Sequence, residues 1–462
     1  MKKHPTLHRL ARLALFFAGF ALFLAFADFH LIQTDTIARM TVYEMQNRDD
    51  IEMAFVGSSI VRDHFNAQLI TEKTGLTSFC VTVPTASMPA SIALTHEMYR
   101  TNSPEWIILV TEPYNFQTVR EMSEAHYRLM PLLSDPANML DYFLRTTEAD
   151  GDYLNRLLMF RQYGAQSLED VIKTIGLRYF PEQTFARLEK TMEPGVSYQG
   201  SGFLRHDLDT RADRLLPTVQ RAYTGYTYTL FDGSKEQLRL YKQLCEENGA
   251  KLMVVIYPNL TAHALAEPDY LVYNDALMAF CEELQVPCFN FSFAKPELMP
   301  NLDEYFYDLY HMVGEGADIL SEAFCRVFNA YIAGEDVSHL FYESRWAYLD
   351  ALNIVANTWL TRFDPEEEEW DVAREQDEAR VRALSRTQEV YMADSNHYYR
   401  FTPEYRFVLR HEDGSETLLQ DYGVDTLYAC APGALSGQTL RVYARIQGEK
   451  QNPRIWDELT IQ

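Results

Sequence analysis

Apolar residues gather in three short, partly β-branched runs: "IEMAFVGSS" (51–59), "LTSFCVTVP" (76–84) and "EWIILVTEP" (105–113). Between them, "VRDHFNAQLITEKTG" and "SIALTHEMYRTN" space their apolar positions as a helix with one buried face does, giving the order β-α-β-α-β. The unit recurs in "SKEQLRLYKQLCEENGAKLMVVIYPN", where a helix closed by Gly249 precedes a strand from Lys251 to Tyr257, and a helix around Tyr273 to Leu284 leads into "VPCFNFS". Parallel strands need a crossover, so the alternation predicts a parallel sheet covered by helices on both faces, a three-layer α/β/α domain over about residues 51–331. A flavodoxin-like strand order, 2-1-3-4-5, is the expectation for such a sheet.

The segment from about Gln117 to Asp232 interrupts this pattern and is too long for a structureless loop. "MLDYFLRTTEADGDYLNRLLMFRQYG" and "SLEDVIKTIGLRYF" carry apolar residues at helical spacing, which predicts a helical insertion, either capping a site at the strand ends or decorating the sheet's edge. Beyond Ile332 the period changes to two: Tyr405, Phe407 and Leu409 alternate with polar residues, as do Leu440, Val442, Ala444 and Ile446, with turn signals "HEDGS" and "APGALSG" between. An Ig-like antiparallel β-sandwich over residues 344–462 is expected, with "ALNIVANTWLTRF" readable as its first strand or as a helix. The acidic run "FDPEEEEWD" reads as a solvated loop or helix start, and Tyr398, Tyr399, Tyr405 and Phe407 as strand core rather than a sugar platform.

At the N-terminus, Lys2, Lys3, Arg9 and Arg12 precede an uninterrupted apolar run from Leu13 to Ala27, an export signal within residues 1–32. The run is short of the ~20 residues of a membrane span, and Ala25-Phe26-Ala27 suits cleavage; His30-Leu31-Ile32 extends it and favours an uncleaved anchor. The basic flank predicts a cytoplasmic N-terminus with the rest outside, a single-pass membrane protein or, if cleaved, a secreted one, and residues 33–50 form a linker helix. With 462 residues, 47% apolar, the chain has enough for a large core and about two or three domains. A formal charge of −25 repels nucleic acid and anionic lipid headgroups and leaves a neutral or small-molecule partner as the default. Six scattered cysteines form no metal-ligand cluster and read as small hydrophobes, and no cofactor is expected.

Ligands of open α/β sheets bind outside the carboxyl ends of the strands, and Gly57-Ser58-Ser59 follows the first strand directly. A hydroxyl there needs an imidazole to take its proton and a carboxylate to orient the imidazole. Of the twelve histidines, His4 and His8 precede the anchor, and His64, His96 and His126 read as helix or insertion residues with no orienting partner evident in sequence. In "FYDLYHMVGEGADIL", Asp308 and His311 stand three apart after the last predicted strand, a spacing that lets the carboxylate reach Nδ1.

The Gly-x-Ser corner with a late Asp-x-x-His resembles the SGNH/GDSL hydrolase superfamily across about Ile51 to Tyr331. That resemblance implies Ser59 as nucleophile, with Ser58 where the family has aspartate, His311 as base, Asp308 as its orienting acid and Gly316 as the trailing glycine. For the oxyanion it implies the Ser59 backbone N–H, Ala86 or Ser87 in "VPTASMP", and Asn115, the remnant of a Gly-x-Asn-Asp block. The Gly-Ser-Ser variant, the membrane segment and the insertion are most similar to the envelope branch that includes D-alanyl transfer and alginate O-acetylation proteins. It implies a serine esterase or O-acyltransferase acting on an acyl ester or cell-surface glycan, with a membrane acyl-donor partner. Arg62 is a candidate substrate contact or an exposed helix arginine. The rival expectation is a surface scaffold or glycan-binding protein that has lost catalysis.

Overall fold

The computed structural model describes residues 5–31, 36–111, 123–151, 153–159, 164, 167–190, 192–208, 230, 232–261, 268–352, 355–363, 375–397, 401–449 and 455–461. Its first helix, α1 (Pro5–Leu31), contains a 20-residue window, His8–Ala27, of mean hydropathy 2.2 and only 6% buried, long and apolar enough to cross a membrane. After α2 (Thr36–Gln46) come β1 (Met53–Gly57), α3 (Ser59–His64), α4 (Ala67–Thr74), β2 (Ser78–Thr82), α5 (Met88–Met98) and β3 (Trp106–Thr111). The long interruption holds α6 (Ser123–Leu129), α7 (Pro136–Asp150), α8 (Tyr153–Leu157), α9 (Leu168–Tyr179), α10 (Pro181–Glu189) and a hairpin of β4 (Val196–Gly200) and β5 (Phe203–His206). Next are α11 (Asp232–Glu247), β6 (Lys251–Ile256), α12 (Pro268–Glu283), β7 (Cys288–Asn290) and α13 (Gly314–Ile332).

The five-stranded sheet has the order β2-β1-β3-β6-β7 and is parallel throughout, which is the 2-1-3-4-5 arrangement once only its own strands are counted. Side chains alternate across it with period two. Ala54, Val56, Ile107, Leu109, Val254 and Ile256 face one core, under α2, α5, α11 and α12. Met53, Phe55, Ile108, Val110, Met253 and Val255 face the other, under α3, α4 and α13. Both faces being covered is why these strands read as continuous apolar runs.

Two local expectations change. The single helix foreseen after β1 is two, because Phe65 is extended (φ −118°, ψ 109°) and the Asn66 side chain accepts from Leu69 N–H at 3.1 Å, starting a second helix. The interruption is also not helical throughout: its hairpin turns at Ser201 and Gly202, both with positive φ (51° and 75°), and lies along the open side of β2, where Cys80 N–H donates to the Ser201 carbonyl at 2.9 Å.

The C-terminal part begins with α14 (Arg345–Ala351) and β8 (Val355–Arg362), so "ALNIVANTWLTRF" is the end of a helix followed by a strand. After α15 (Glu375–Leu384) come β9 (Glu389–His397), β10 (Pro403–Arg410), β11 (Glu416–Gly423), β12 (Leu427–Cys430), β13 (Thr439–Ile446) and β14 (Trp456–Thr460). They form two antiparallel sheets, β11-β10-β13-β14 and β12-β9-β8, whose inner residues share one core; Tyr405 and Phe407 are buried in it and offer no exposed platform. The acidic run from Asp364, and Tyr398 and Tyr399, lie outside the described residues.

Candidate active site

The site begins with a missing side chain. A Cβ on Gly57 would stand 2.7 Å from the Val110 carbonyl oxygen and 2.8 Å from Val61 Cγ2, so only glycine lets the chain turn this tightly between β1 and α3. Ser58 then takes the N-cap (φ −84°, ψ −164°), its hydroxyl accepting from Ile60 N–H at 3.4 Å. The neighbouring serine is therefore released from capping. Ser59, the first residue of α3, carries its Oγ 2.8 Å from His311 Nε2.

His311 comes from the loop between β7 and α13, which Asp308 closes on itself. One carboxylate oxygen of Asp308 accepts the backbone N–H groups of Tyr310 and His311, each at 2.7 Å, while the two oxygens stand 3.0 and 2.8 Å from His311 Nδ1. Backbone bonds from Tyr307 N–H to the His311 carbonyl (3.0 Å) and from Val313 N–H to the Tyr305 carbonyl (2.7 Å) brace the same loop.

Four further residues meet here that sequence reasoning missed. His64, for which the sequence made no orienting partner evident, accepts the Met312 N–H on Nε2 at 3.1 Å, which puts the proton of its neutral ring on Nδ1 and pegs the histidine loop to α3. Full burial, followed by the charge of nearby His311, pushes the His64 pKa down to about 3, so it stays neutral. Asp63 is buried, receives Arg62 Nε at 2.7 Å and Nη2 at 3.2 Å, and lies 3.5 Å from His206 Nε2 and 3.9 Å from His311 Nε2. His206, brought in on β5, and His311 each stack on the Tyr307 ring, at centroid distances of 4.7 and 5.9 Å. The i, i+4 spacing of Ser59 and Asp63 on one helix was the available signal for Asp63. None existed for His206, which arrives from the interruption.

Charges follow from this packing. Burial opposes a charged His311, but the Asp308 hydrogen bond and the Asp63 carboxylate outweigh burial and raise its pKa above the ordinary imidazole value. Burial alone would raise Asp308, yet its bond to His311 and the charge there hold it below the usual carboxylate value. Asp63 is likewise favoured as the acid by burial, and the Arg62 guanidinium, with His206 and His311, holds it ionised well below the usual range. An imidazole between two carboxylates accepts a proton readily and still has Nε2 free to take one from Ser59 Oγ.

Of the other expected residues, Arg62 is not an exposed helix arginine: it is half-buried and tied to Asp63. Ser87 is buried at the N-terminal cap of α5, on the same carboxyl edge as Ser59. The glycine-like conformation of that loop falls on Thr85 (φ 60°), one residue before Ala86, a strained position for a β-branched residue. Gly316 packs without a side chain against Tyr305, whose Cβ a Cβ there would meet at 2.6 Å. Asn115 lies outside the described residues.

No protein-family model and no curated protein matches the chain. Among solved structures, a protein of Bacteroides fragilis described as an acylhydrolase overlaps it at TM-score 0.29 and 9% identity, over 62% of this chain and 90% of that one. A GDSL-like lipase of Bacteroides thetaiotaomicron overlaps at TM-score 0.30 and 10% identity, over 64% of this chain and all (100%) of the other. At TM-scores this low the likeness decides nothing about the chemistry, which rests on the distances within this site.

Proposed function

We propose that this chain is an SGNH/GDSL-type serine esterase or O-acyltransferase, held by α1 as an uncleaved single-pass anchor with its remaining domains outside the membrane. The observation that carries the reading is the 2.8 Å approach of Ser59 Oγ to His311 Nε2, with Asp308 on the opposite nitrogen. Ser59 Oγ attacks an acyl carbonyl carbon as its proton moves to His311 Nε2, and Asp308 and Asp63 stabilise the imidazolium so formed. The tetrahedral oxyanion forms against the Ser59 backbone N–H at the first turn of α3, with Asn115 and Ser87 as further donors, the Ala86 N–H being spent on the Val83 carbonyl at 3.3 Å. Collapse expels the alcohol, which takes the proton back from Nε2, and leaves the acyl group on Ser59. A second cycle with water or a sugar hydroxyl releases the acyl group.

A neutral acyl ester of a cell-surface glycan is the favoured substrate class, because a chain of net charge −25 repels polyanions. A fluorophosphonate probe tests the reading: it labels wild type, weakly labels His311→Ala, and leaves Ser59→Ala unlabelled. Ester turnover in Ser59→Ala falls by about four orders of magnitude or more. Folded wild-type protein that takes no label would leave the scaffold role instead. Mass analysis of the acyl-enzyme mixed with a sugar acceptor separates transfer from hydrolysis.

A further inference from the structure

Large apolar side chains that face solvent are not scattered evenly. Outside α1, nine of the fifteen such residues among the described ones fall between positions 140 and 180, which makes this one concentrated surface and not background. On α9 they form a single stripe, Leu168, Ile172, Ile175 and Tyr179, with Leu168 75% and Ile172 55% exposed, while Thr174 and Leu177 on the other side of the helix are buried. On α7, Leu140 and Leu144, one turn apart, are exposed as well.

This surface is continuous with α1. Tyr179, at the end of the stripe, shares a hydrogen bond of 2.9 Å with His30 Nε2 of α1. A cavity of about 420 Å³ opens between the two parts, walled by Ala21 and Leu24 of α1 and by Met139 and Phe143 of α7. The α1 wall of this cavity extends down to Ala21, six residues inside the apolar window that ends at Ala27. Measured along the helix axis, six residues are about 9 Å. A helix lying in a membrane interface sits about 5–10 Å deep, with its apolar face on the acyl chains. Arg156 and Arg178 line the same cavity from the protein side, Arg156 only 4% exposed.

We infer that α7, α8 and α9 form a second membrane-seated element, lying in the outer leaflet beside α1 with the Leu168–Tyr179 stripe against lipid acyl chains. The inference rests on α1 being a membrane anchor, as proposed above. The bilayer is the occupant because the depth matches and because the exposed stripe is apolar, so its seating does not depend on headgroup charge.

The full chain is reconstituted into phosphatidylcholine vesicles whose acyl chains are brominated near the headgroup. Ile172→Trp and Leu144→Trp supply probes, with Leu418→Trp on β11 as the distant control, each read as a difference from the parent with its five tryptophans. The added emission at 172 and 144 is expected to fall by about half in brominated relative to plain vesicles, with none lost at 418, as an interfacial location predicts. A chain that floats with the vesicles while neither probe is quenched beyond the control overturns this inference and leaves the anchor intact. A chain that does not float overturns both. Concentration-dependent cross-linking through position 172, without quenching, would assign the stripe to a second copy and likewise overturn it.

Discussion

Ser59 and Asp63 stand one helical turn apart, and both approach the same nitrogen of His311, at 2.8 and 3.9 Å. Asp63 helps to raise the His311 pKa, so removing its charge lowers that pKa, and the neutral, proton-accepting ring persists to lower pH. The expected result for Asp63→Asn is an acid limb of the kcat/KM profile displaced to lower pH; a limb that stays in place would assign Asp63 a packing role only. Because the Asp63 pKa is depressed on folding, its ionised form adds stability above the ordinary value of 3.8, and this is lost as pH falls towards the folded-state value. Asp63→Ala strands the half-buried Arg62 guanidinium and should cost about 3–5 kcal/mol in urea unfolding. At this scale the sequence disclosed the local constellations: an Asp-x-x-His loop and a Gly-Ser-Ser corner. It did not disclose the burial and contacts that tertiary packing makes, and so His64 reads as an ordinary helix residue and Arg62, although its partner Asp63 is the next residue, as an exposed one.

Elements set the site's precision, above all the corner between β1 and α3. Gly57→Ala forces a Cβ into the Val110 carbonyl at 2.7 Å, and neither backbone yields without moving α3. We expect a loss of about 1–3 kcal/mol in stability and, through displacement of Ser59, about a hundredfold loss in ester turnover. The strained Thr85 points the opposite way. Thr85→Gly removes the penalty of φ 60° and should raise stability by up to about 1 kcal/mol, seen as a higher Tm, since strain relief exceeds the added chain entropy. The sheet's strands were legible because burial on both faces leaves an unbroken apolar run, and the carboxyl-edge site followed from their order. The break at Phe65–Asn66 was not, since a buried Phe continues an apolar helix face as readily as it ends one. Nor does periodicity say whether an apolar stripe points inward. The spacing of Leu168, Ile172 and Ile175 fits a core helix and an outward-facing one equally well.

For the whole molecule, net charge acts at long range. At −25 the chain creates a negative field that screens with salt, so kcat/KM for an anionic ester should rise with ionic strength while that for a neutral acetyl ester stays flat. Equal slopes would point to a local basic groove overriding the field. The chain's division into an apolar leader, an alternating α/β body and a period-two tail was readable because each has its own hydrophobic rhythm. That the interruption returns a hairpin to the sheet was not, because the pairing is made across long sequence separation. Through that hairpin, the Ser201 carbonyl occupies the outward amide of Cys80, and glycine at 202 lets the two backbones touch. β2 is thereby denied to any neighbour seeking to add a strand, and the opposite border of the sheet, β7, is only three residues long. The five-stranded sheet thus meets a neighbouring molecule with one border occupied at Cys80 and the other too short to template a ribbon.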